Sequence, residues 1–231
     1  MSVYTSLKEE AYEANMGIPQ HGLAIFTFGN VSSYDSDAGA VAIKPSGVPY
    51  DKLTPDDMVV LSLDGERIEG SLRPSSDTPT HLYLYRNFSG IGGIVHTHST
   101  YATAWAQAAR DIPIYGTTHA DHLACDIPCA ALMSKAEVTG DYELETGRQI
   151  TGCLEERNLH PEQCPMIIIA GHGPFAWGKN ADKALYHAAV LEQIAQMAWL
   201  TESLAPAERL PDHYIEKHFQ RKHGPNAYYG Q

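Results

Sequence analysis

Apolar and polar positions fall into short blocks along the chain, and the blocks predict strands interleaved with helices. Residues 6–16 carry the spacing of an opening helix. Residues 23–30 are apolar, with β-branched and aromatic side chains, and predict a strand; Val41, Ala42 and Ile43 predict another. Between them the polar residues 32–39 predict a turn. Residues 58–63, the Asp64-Gly65 pair and residues 66–69 have the pattern of a tight hairpin. Ser75-Ser76-Asp77-Thr78 offers capping residues before a helix over 80–87. Ile94 and Val95 predict a buried strand that runs straight into His96-Thr97-His98, and residues 102–109 a helix. Residues 166–169 predict a second buried strand, ending at Gly171-His172-Gly173-Pro174. Asn180 and Asp182 can cap a long helix through Leu204, whose apolar face includes Leu185, Ala188, Ile194 and Ala198. Such interleaving predicts an α/β fold, a sheet covered by helices on both faces.

Composition narrows the class of molecule. A chain of 231 residues, 43% apolar and 19% charged, can close one core around one sheet without waiting for a partner. No uncharged stretch reaches membrane-spanning length and the first residues lack a signal-type apolar run, so a cytoplasmic protein is expected. A formal charge of −12 argues against nucleic acid or anionic membrane as partner, while leaving room for a small phosphorylated ligand in a locally positive pocket. Lys217, Arg221 and Lys222 near the C-terminus read as a solvated charged helix. Cys125, Cys129, Cys153 and Cys164 form no Cys-x-x-Cys pair and read as free thiols; His122, Cys125 and Cys129 match no common zinc spacing.

The chemistry-bearing pattern is His96-Thr97-His98. On a strand, residues two apart point to one side, so both imidazoles face one pocket, a geometry suited to zinc or a similar borderline metal. His172 also follows a buried strand and is the natural third ligand. Three imidazoles leave a coordination position open, which is characteristic of catalytic sites. Lys44-Pro45-Ser46-Gly47, Ser75-Ser76 and Gly29-Asn30 are candidate phosphate cradles, each also compatible with an ordinary turn or cap.

Taken in order, Gly29-Asn30-Val31-Ser32, Lys44-Pro45-Ser46-Gly47, Pro74-Ser75-Ser76-Asp77-Thr78, Gly93-Ile94-Val95-His96-Thr97-His98 and Gly171-His172-Gly173-Pro174-Phe175-Ala176-Trp177-Gly178 resemble the class II aldolase/adducin family across the whole chain. The closing His218, Arg221-Lys222-His223-Gly224 and Tyr228-Tyr229-Gly230-Gln231 are similar to its L-ribulose-5-phosphate 4-epimerase branch. The resemblance implies one three-layer α/β/α domain over 1–231 with a mainly antiparallel or mixed central sheet. It also implies a fourfold homotetramer with active sites between subunits and a tail from about residue 212 that reaches the neighbouring site. It assigns one Zn²⁺ per subunit, or another divalent transition metal, to His96, His98 and His172, with Asp77 approaching the metal when substrate is absent. Gly29, Asn30, Lys44, Ser46, Gly47, Ser75 and Ser76 match the substrate and phosphate pocket; Asp121 and Tyr229 match the two acid/base residues, with His218 and Arg221 near the same interface.

The implied reaction interconverts L-ribulose 5-phosphate and D-xylulose 5-phosphate by metal-assisted cleavage and re-formation of C3–C4. The alternatives are a class II aldolase acting on a ketose 1-phosphate and a non-catalytic adducin-like scaffold. Arabinose and ascorbate catabolism both fit such an activity. The chain departs from close epimerases at His122-Leu123, where an aromatic pair is usual, and at Ala130-Ala131, where Thr-Arg is usual. It also has Ala170 where some members carry a polar residue near the third ligand.

Overall fold

The computed structural model describes residues 2–228. The chain opens with α1 (Thr5–Gln20), then β1 (Asn30–Asp35), β2 (Ala40–Ile43), β3 (Val59–Ser62) and β4 (Arg67–Glu69). Helix α2 (Thr78–Asn87), strand β5 (Gly93–His96), helices α3 (Thr100–Gln107) and α4 (Thr117–Ala120) and the short strand β6 (Cys129–Ala130) follow. Helices α5 (Lys135–Thr139) and α6 (Tyr142–Glu156), strands β7 (Met166–Ile169) and β8 (Pro174–Gly178), and helices α7 (Ala181–Leu204) and α8 (Asp212–His223) complete it.

The strands form one eight-stranded sheet in the order β4-β3-β2-β1-β5-β8-β7-β6. Every neighbouring pair is antiparallel except β6 with β7, so the sheet is mixed. Side-chain alternation divides the two layers of helix. Asn30, His96 and Phe175 lie side by side in register, as do Ser32, Ile94 and Trp177, and this face meets α2: Phe88 packs its ring 5.0 Å from that of Trp177. The other face, with Val31, Val95 and Ala176, carries α1 and α7, which also pack on each other. Gly93 and Gly178, opposite one another in the ladder, admit α7 to contact distance. A Cβ on Gly93 would stand 2.4 Å from the Ala181 Cα, and one on Gly178 2.7 Å from the Ala184 nitrogen. The Asn180 side chain caps α7 by accepting from the Lys183 N–H at 2.8 Å. Phe175, Trp177, Ile18, Leu23 and Ile94 are buried in the core, each worth about 1.5–3 kcal/mol on transfer from water.

The antiparallel order has a functional result. β1 begins, β2 and β5 end, β7 ends and β8 begins at the same end of the sheet. Residues far apart in sequence therefore gather on one rim. At that rim β1 and β2 part company. Ser33 pairs with Ala42, so the Val31 peptide, two residues along, points toward where Lys44 would continue the ladder. The Lys44 carbonyl instead accepts from the Ser75 N–H at 3.0 Å. Asn15 of α1 takes its place beside Val31, accepting from the Val31 N–H at 2.8 Å and donating to the Val31 carbonyl at 2.9 Å.

Two expectations from the sequence are corrected. Residues 23–30 are not a strand: the segment runs as turns and loop up to Asn30, with Ile25, Phe26 and Phe28 exposed and Phe26 at φ 56°. The strand lies in Asn30–Asp35, and from Ser32 onward it occupies the stretch expected to be a polar turn; its Asn30, Ser32 and Ser33 are buried. β8 begins at Pro174, the last residue of the segment at which the preceding strand was expected to end, and α6 had no counterpart in the pattern.

Candidate metal centre

β5 delivers His96 at its last residue, and extended backbone carries His98 to the same side. The turn between β7 and β8 brings His172 over them. It packs tightly: a Cβ on Gly173 would meet the Thr97 carbonyl at 2.9 Å. The three rings stand 4.7–5.2 Å apart, centroid to centroid, and one nitrogen from each lies within 4.8 Å of the other two. Among the described residues this is the one His/Cys/Asp/Glu cluster with metal-holding geometry, and His122, Cys125 and Cys129 do not form a second.

The hydrogen bonds select the ligating atoms. His96 Nδ1 faces the Pro174 carbonyl at 2.9 Å, so it carries the proton and donates. The Nε2 lone pair is thereby turned to the cluster, the arrangement that outer-shell carbonyls impose on metal-bound histidine. His96 Nε2 and His98 Nε2 are 3.2 Å apart. Two nitrogens bound tetrahedrally at about 2.0–2.1 Å would be separated by about 3.3 Å, so the pair fits a single zinc-sized cation. Burial, reinforced by the neighbouring imidazoles, pushes His98 below the usual histidine range and His172 down to about 3. Both rings are therefore neutral at physiological pH, the ligating state. Phe175 stacks on His96 at 4.2 Å and 18°, and the Tyr142 hydroxyl, from α6, lies 3.3 Å from His172 Nδ1. Neither supporting residue was singled out from the sequence: Phe175 stood only within the Gly171–Gly178 motif, and Tyr142 sits on α6, which had no counterpart in the pattern.

Asp77 stands immediately before α2, its carboxylate accepting from Asn30 Nδ2 at 2.6 Å. Burial opposes its ionisation, but electrostatic attraction to the surrounding imidazoles, His96 foremost, and the Asn30 hydrogen bond outweigh that and hold it below the usual range. The candidate phosphate segments are laced to one another: the Ser46 N–H donates to the Arg73 carbonyl at 2.9 Å, alongside the Ser75–Lys44 bond. Lys44 is buried at 2% exposure, with its ammonium 3.4 Å from the Pro45 carbonyl and 5.0 Å from the Tyr50 ring; burial lowers it to about 8. Tyr50 in turn donates to the Phe28 carbonyl at 2.7 Å, holding the approach to Gly29. A cleft of about 620 Å³ runs past Arg73, Ser75, Ser76 and Asp141.

Asp121 belongs to a different cluster. It follows α4 and is gripped by α8: Arg221 donates to both carboxylate oxygens at 2.9 and 2.7 Å, and His218 Nδ1 lies 3.0 Å from one of them. Burial raises its pKa, but the bonds from Arg221 and His218 prevail and keep it ionised. None of these contacts joins Asp121 to the three imidazoles. The basic C-terminal segment is a helix, α8, but Arg221 and His218 are turned inward to a carboxylate, which a solvated face would not require. Tyr229 lies outside the described residues.

Comparison with known proteins agrees with this architecture. Residues 9–199 match the class II aldolase and adducin N-terminal domain. The chain is 53% identical over 226 residues to the L-ribulose-5-phosphate 4-epimerase UlaF of Salmonella paratyphi C, covering 97% of this chain and 98% of that one. The UlaF epimerase of Salmonella typhi matches to the same extent. Among solved structures, an L-fuculose 1-phosphate aldolase superposes with a TM-score of 0.79 at 24% identity, covering 96% of this chain and 97% of its own. YgbL of Escherichia coli, a putative aldolase/epimerase/decarboxylase, superposes at 0.70 with 25% identity, covering 94% and 99%. This chain belongs to the class II aldolase and adducin family.

Proposed function

We infer that this protein is a sugar-phosphate epimerase that interconverts L-ribulose 5-phosphate and D-xylulose 5-phosphate. The observation that carries the reading is the 53% identity to epimerases of that name along nearly the whole of both chains. The donor set supports it: three converging imidazoles, one with its lone pair oriented to the cluster, suit a divalent cation, and nitrogen donors favour zinc over magnesium or calcium.

The chemistry follows from the substrate. In L-ribulose 5-phosphate the carbonyl is C2 and the inverted carbon is C4, so the C4 hydrogen is not acidic. Inversion proceeds through the C3–C4 bond. A base takes the C4 hydroxyl proton, the C3–C4 electron pair passes to the C2–C3 fragment as an enediolate, and glycolaldehyde phosphate is released within the site. A divalent cation held by His96, His98 and His172 supplies Lewis-acid stabilisation of that negative charge. After the aldehyde turns over, the enediolate carbon attacks its other face and the new C4 oxygen takes a proton from an acid on the opposite side. Two proton-handling groups, one per face, are therefore needed.

Asp121, kept ionised by Arg221 and His218, suits one of these roles and Tyr229 the other. Lys44, Ser46, Gly47, Ser75, Ser76, Gly29 and Asn30 would bind the phosphate and the sugar. Lys44 supplies a cation that the fold leaves without a carboxylate partner among the described residues. Since the Asp121 cluster shares no contact with the imidazoles, a complete site is best built between subunits of a homotetramer, with the tail from about residue 212 crossing to its neighbour. No helix among the described residues is long and apolar enough to cross a membrane, in keeping with a cytoplasmic pentose-phosphate enzyme.

The deciding experiment supplies Zn²⁺-loaded protein with L-ribulose 5-phosphate and follows D-xylulose 5-phosphate by coupled assay or NMR. Its formation is expected. Dihydroxyacetone and glycolaldehyde phosphate as the only products would replace the epimerase reading with an aldolase, and metal analysis without bound zinc would point to a scaffold.

A further inference from the structure

Behind the imidazoles, β1 and α2 are fastened by a buried polar ladder. Asn30 and Ser32, two apart on a strand, share one face; Asp77, His81 and Tyr85, four apart, share one side of α2 and its approach. They meet rung by rung. Asn30 Nδ2 donates to Asp77 at 2.6 Å, the Ser32 hydroxyl lies 2.7 Å from His81 Nδ1, and the same hydroxyl lies 2.8 Å from the Tyr85 hydroxyl. Tyr85 also donates to the Ser32 carbonyl at 3.1 Å. Ser32 and His81 are completely buried.

His81 touches both arms of the site. Its ring meets Phe175 edge-on at 6.3 Å, and Phe175 is the ring stacked on His96. One helical turn back along α2 stands Asp77, whose main-chain carbonyl accepts from the His81 N–H at 3.1 Å. A leucine or phenylalanine would fill this volume without a polar atom to satisfy. The imidazole instead brings His81 Nε2, buried with no partner among the described residues, and Asn30 Oδ1 on the adjacent rung is likewise unpartnered. What the ring provides in exchange is the middle rung, a directional bond that fixes how far α2 is turned about its axis.

We propose that His81 is a positioning residue of the metal centre: held by Ser32, it sets the rotation of α2 so that Asp77 meets Asn30 at the rim of the three-imidazole site. The proposal rests on reading that site as a metal centre, and its test needs no sugar. Zn²⁺ affinity is measured by chelator competition on the full chain for the wild type, His81→Leu, Ser32→Ala, Asp77→Ala and the His81→Leu/Asp77→Ala double variant. His81→Leu is expected to weaken Zn²⁺ binding by about 10-fold, in the range found for outer-shell partners. Asp77→Ala should weaken it at least as much, and the double variant no further than Asp77→Ala alone, because both changes act through one carboxylate. Ser32→Ala removes the same rung with little change of volume and should reproduce the His81→Leu loss even if His81→Leu fails to fold.

Unchanged affinity in Ser32→Ala and His81→Leu, or losses that simply add in the double variant, would mean that the ladder serves stability alone and would overturn the proposal. A wild type that takes up no Zn²⁺ overturns it together with the metal centre. A Zn²⁺-binding wild type inactive on L-ribulose 5-phosphate sinks the epimerase reading and leaves the ladder's role standing.

Discussion

Gly29 joins a loop to the first residue of β1 at φ 77°, a backbone conformation that an L-side chain adopts at a cost of about 1–2 kcal/mol. Replacing it with alanine adds a second penalty. The new Cβ would lie 2.9 Å from the His96 carbonyl oxygen and 3.4 Å from the Thr97 Cα, so a backbone segment carrying two imidazoles must shift by a few tenths of an ångström. Overpacking of this kind costs about 1–3 kcal/mol, giving a total of roughly 2–5 kcal/mol for Gly29→Ala. Gly39 is a built-in control: its φ is 61°, but a Cβ there would have nothing within 4 Å. Gly39→Ala should pay only the conformational penalty, about 1–2 kcal/mol. Urea unfolding of both variants at one protein concentration isolates the contact as their difference, expected to be about 1–3 kcal/mol. Chelator competition on the same samples should show weaker Zn²⁺ binding in Gly29→Ala alone. Equal stability losses with unaltered zinc affinity would refute the claim that Gly29 sets the place of the His96–His98 segment.

Three further outcomes follow from the site. His96→Ala and His172→Ala should each lose bound zinc, read by atomic absorption. Because outer-shell changes alone cost 10–100-fold, turnover should drop by more than about 100-fold while far-UV circular dichroism is retained. Lys44 carries a pKa of about 8 in the free protein, so its cation is present below that value and lost as pH rises through it. kcat/KM for the phosphorylated substrate should fall correspondingly above about pH 8, and Lys44→Met should raise KM by about 10-fold or more and abolish that limb, measured by initial rates. Asp121 has a folded pKa below its unfolded value of about 3.9, so its contribution to stability is present above that value and lost as pH falls through the folded pKa. Arg221→Ala should therefore lower the thermal midpoint at pH 7, and by progressively less as the pH is taken down below about 4, followed by scanning calorimetry.

What the sequence disclosed and what it hid have physical reasons. The Asp64-Gly65 hairpin and the long helix ending at Leu204 were legible because turn chemistry and apolar periodicity are local properties. The His96-Thr97-His98 pair was legible for the same reason, since strand alternation alone puts both rings on one side. β1 was misplaced because its polar residues are buried and paired from afar: Ser32 by His81 and Tyr85, Asn30 by Asp77. The loop before it looked like a strand because Ile25, Phe26 and Phe28 are apolar, although the fold leaves them exposed. The inward-facing Arg221 was hidden because its partner, Asp121, is a hundred residues away in the chain.

The side chain of Asn15 beside Val31 bears on how a binding site can be made in a continuous sheet. A ladder bonded from edge to edge has no vacancy in its own plane, and ligands must settle for its surfaces. Here one strand leaves early, and a single side-chain amide from a helix answers the peptide it abandons, donor for acceptor and acceptor for donor. The departing strand is then free to lie against the Ser75 segment, where the Lys44 carbonyl accepts from the Ser75 N–H. The break between β1 and β2 is a missing piece of hydrogen-bond fabric, hemmed so that it does not unravel. Asn15, which touches none of the imidazoles, is the stitch that keeps it open.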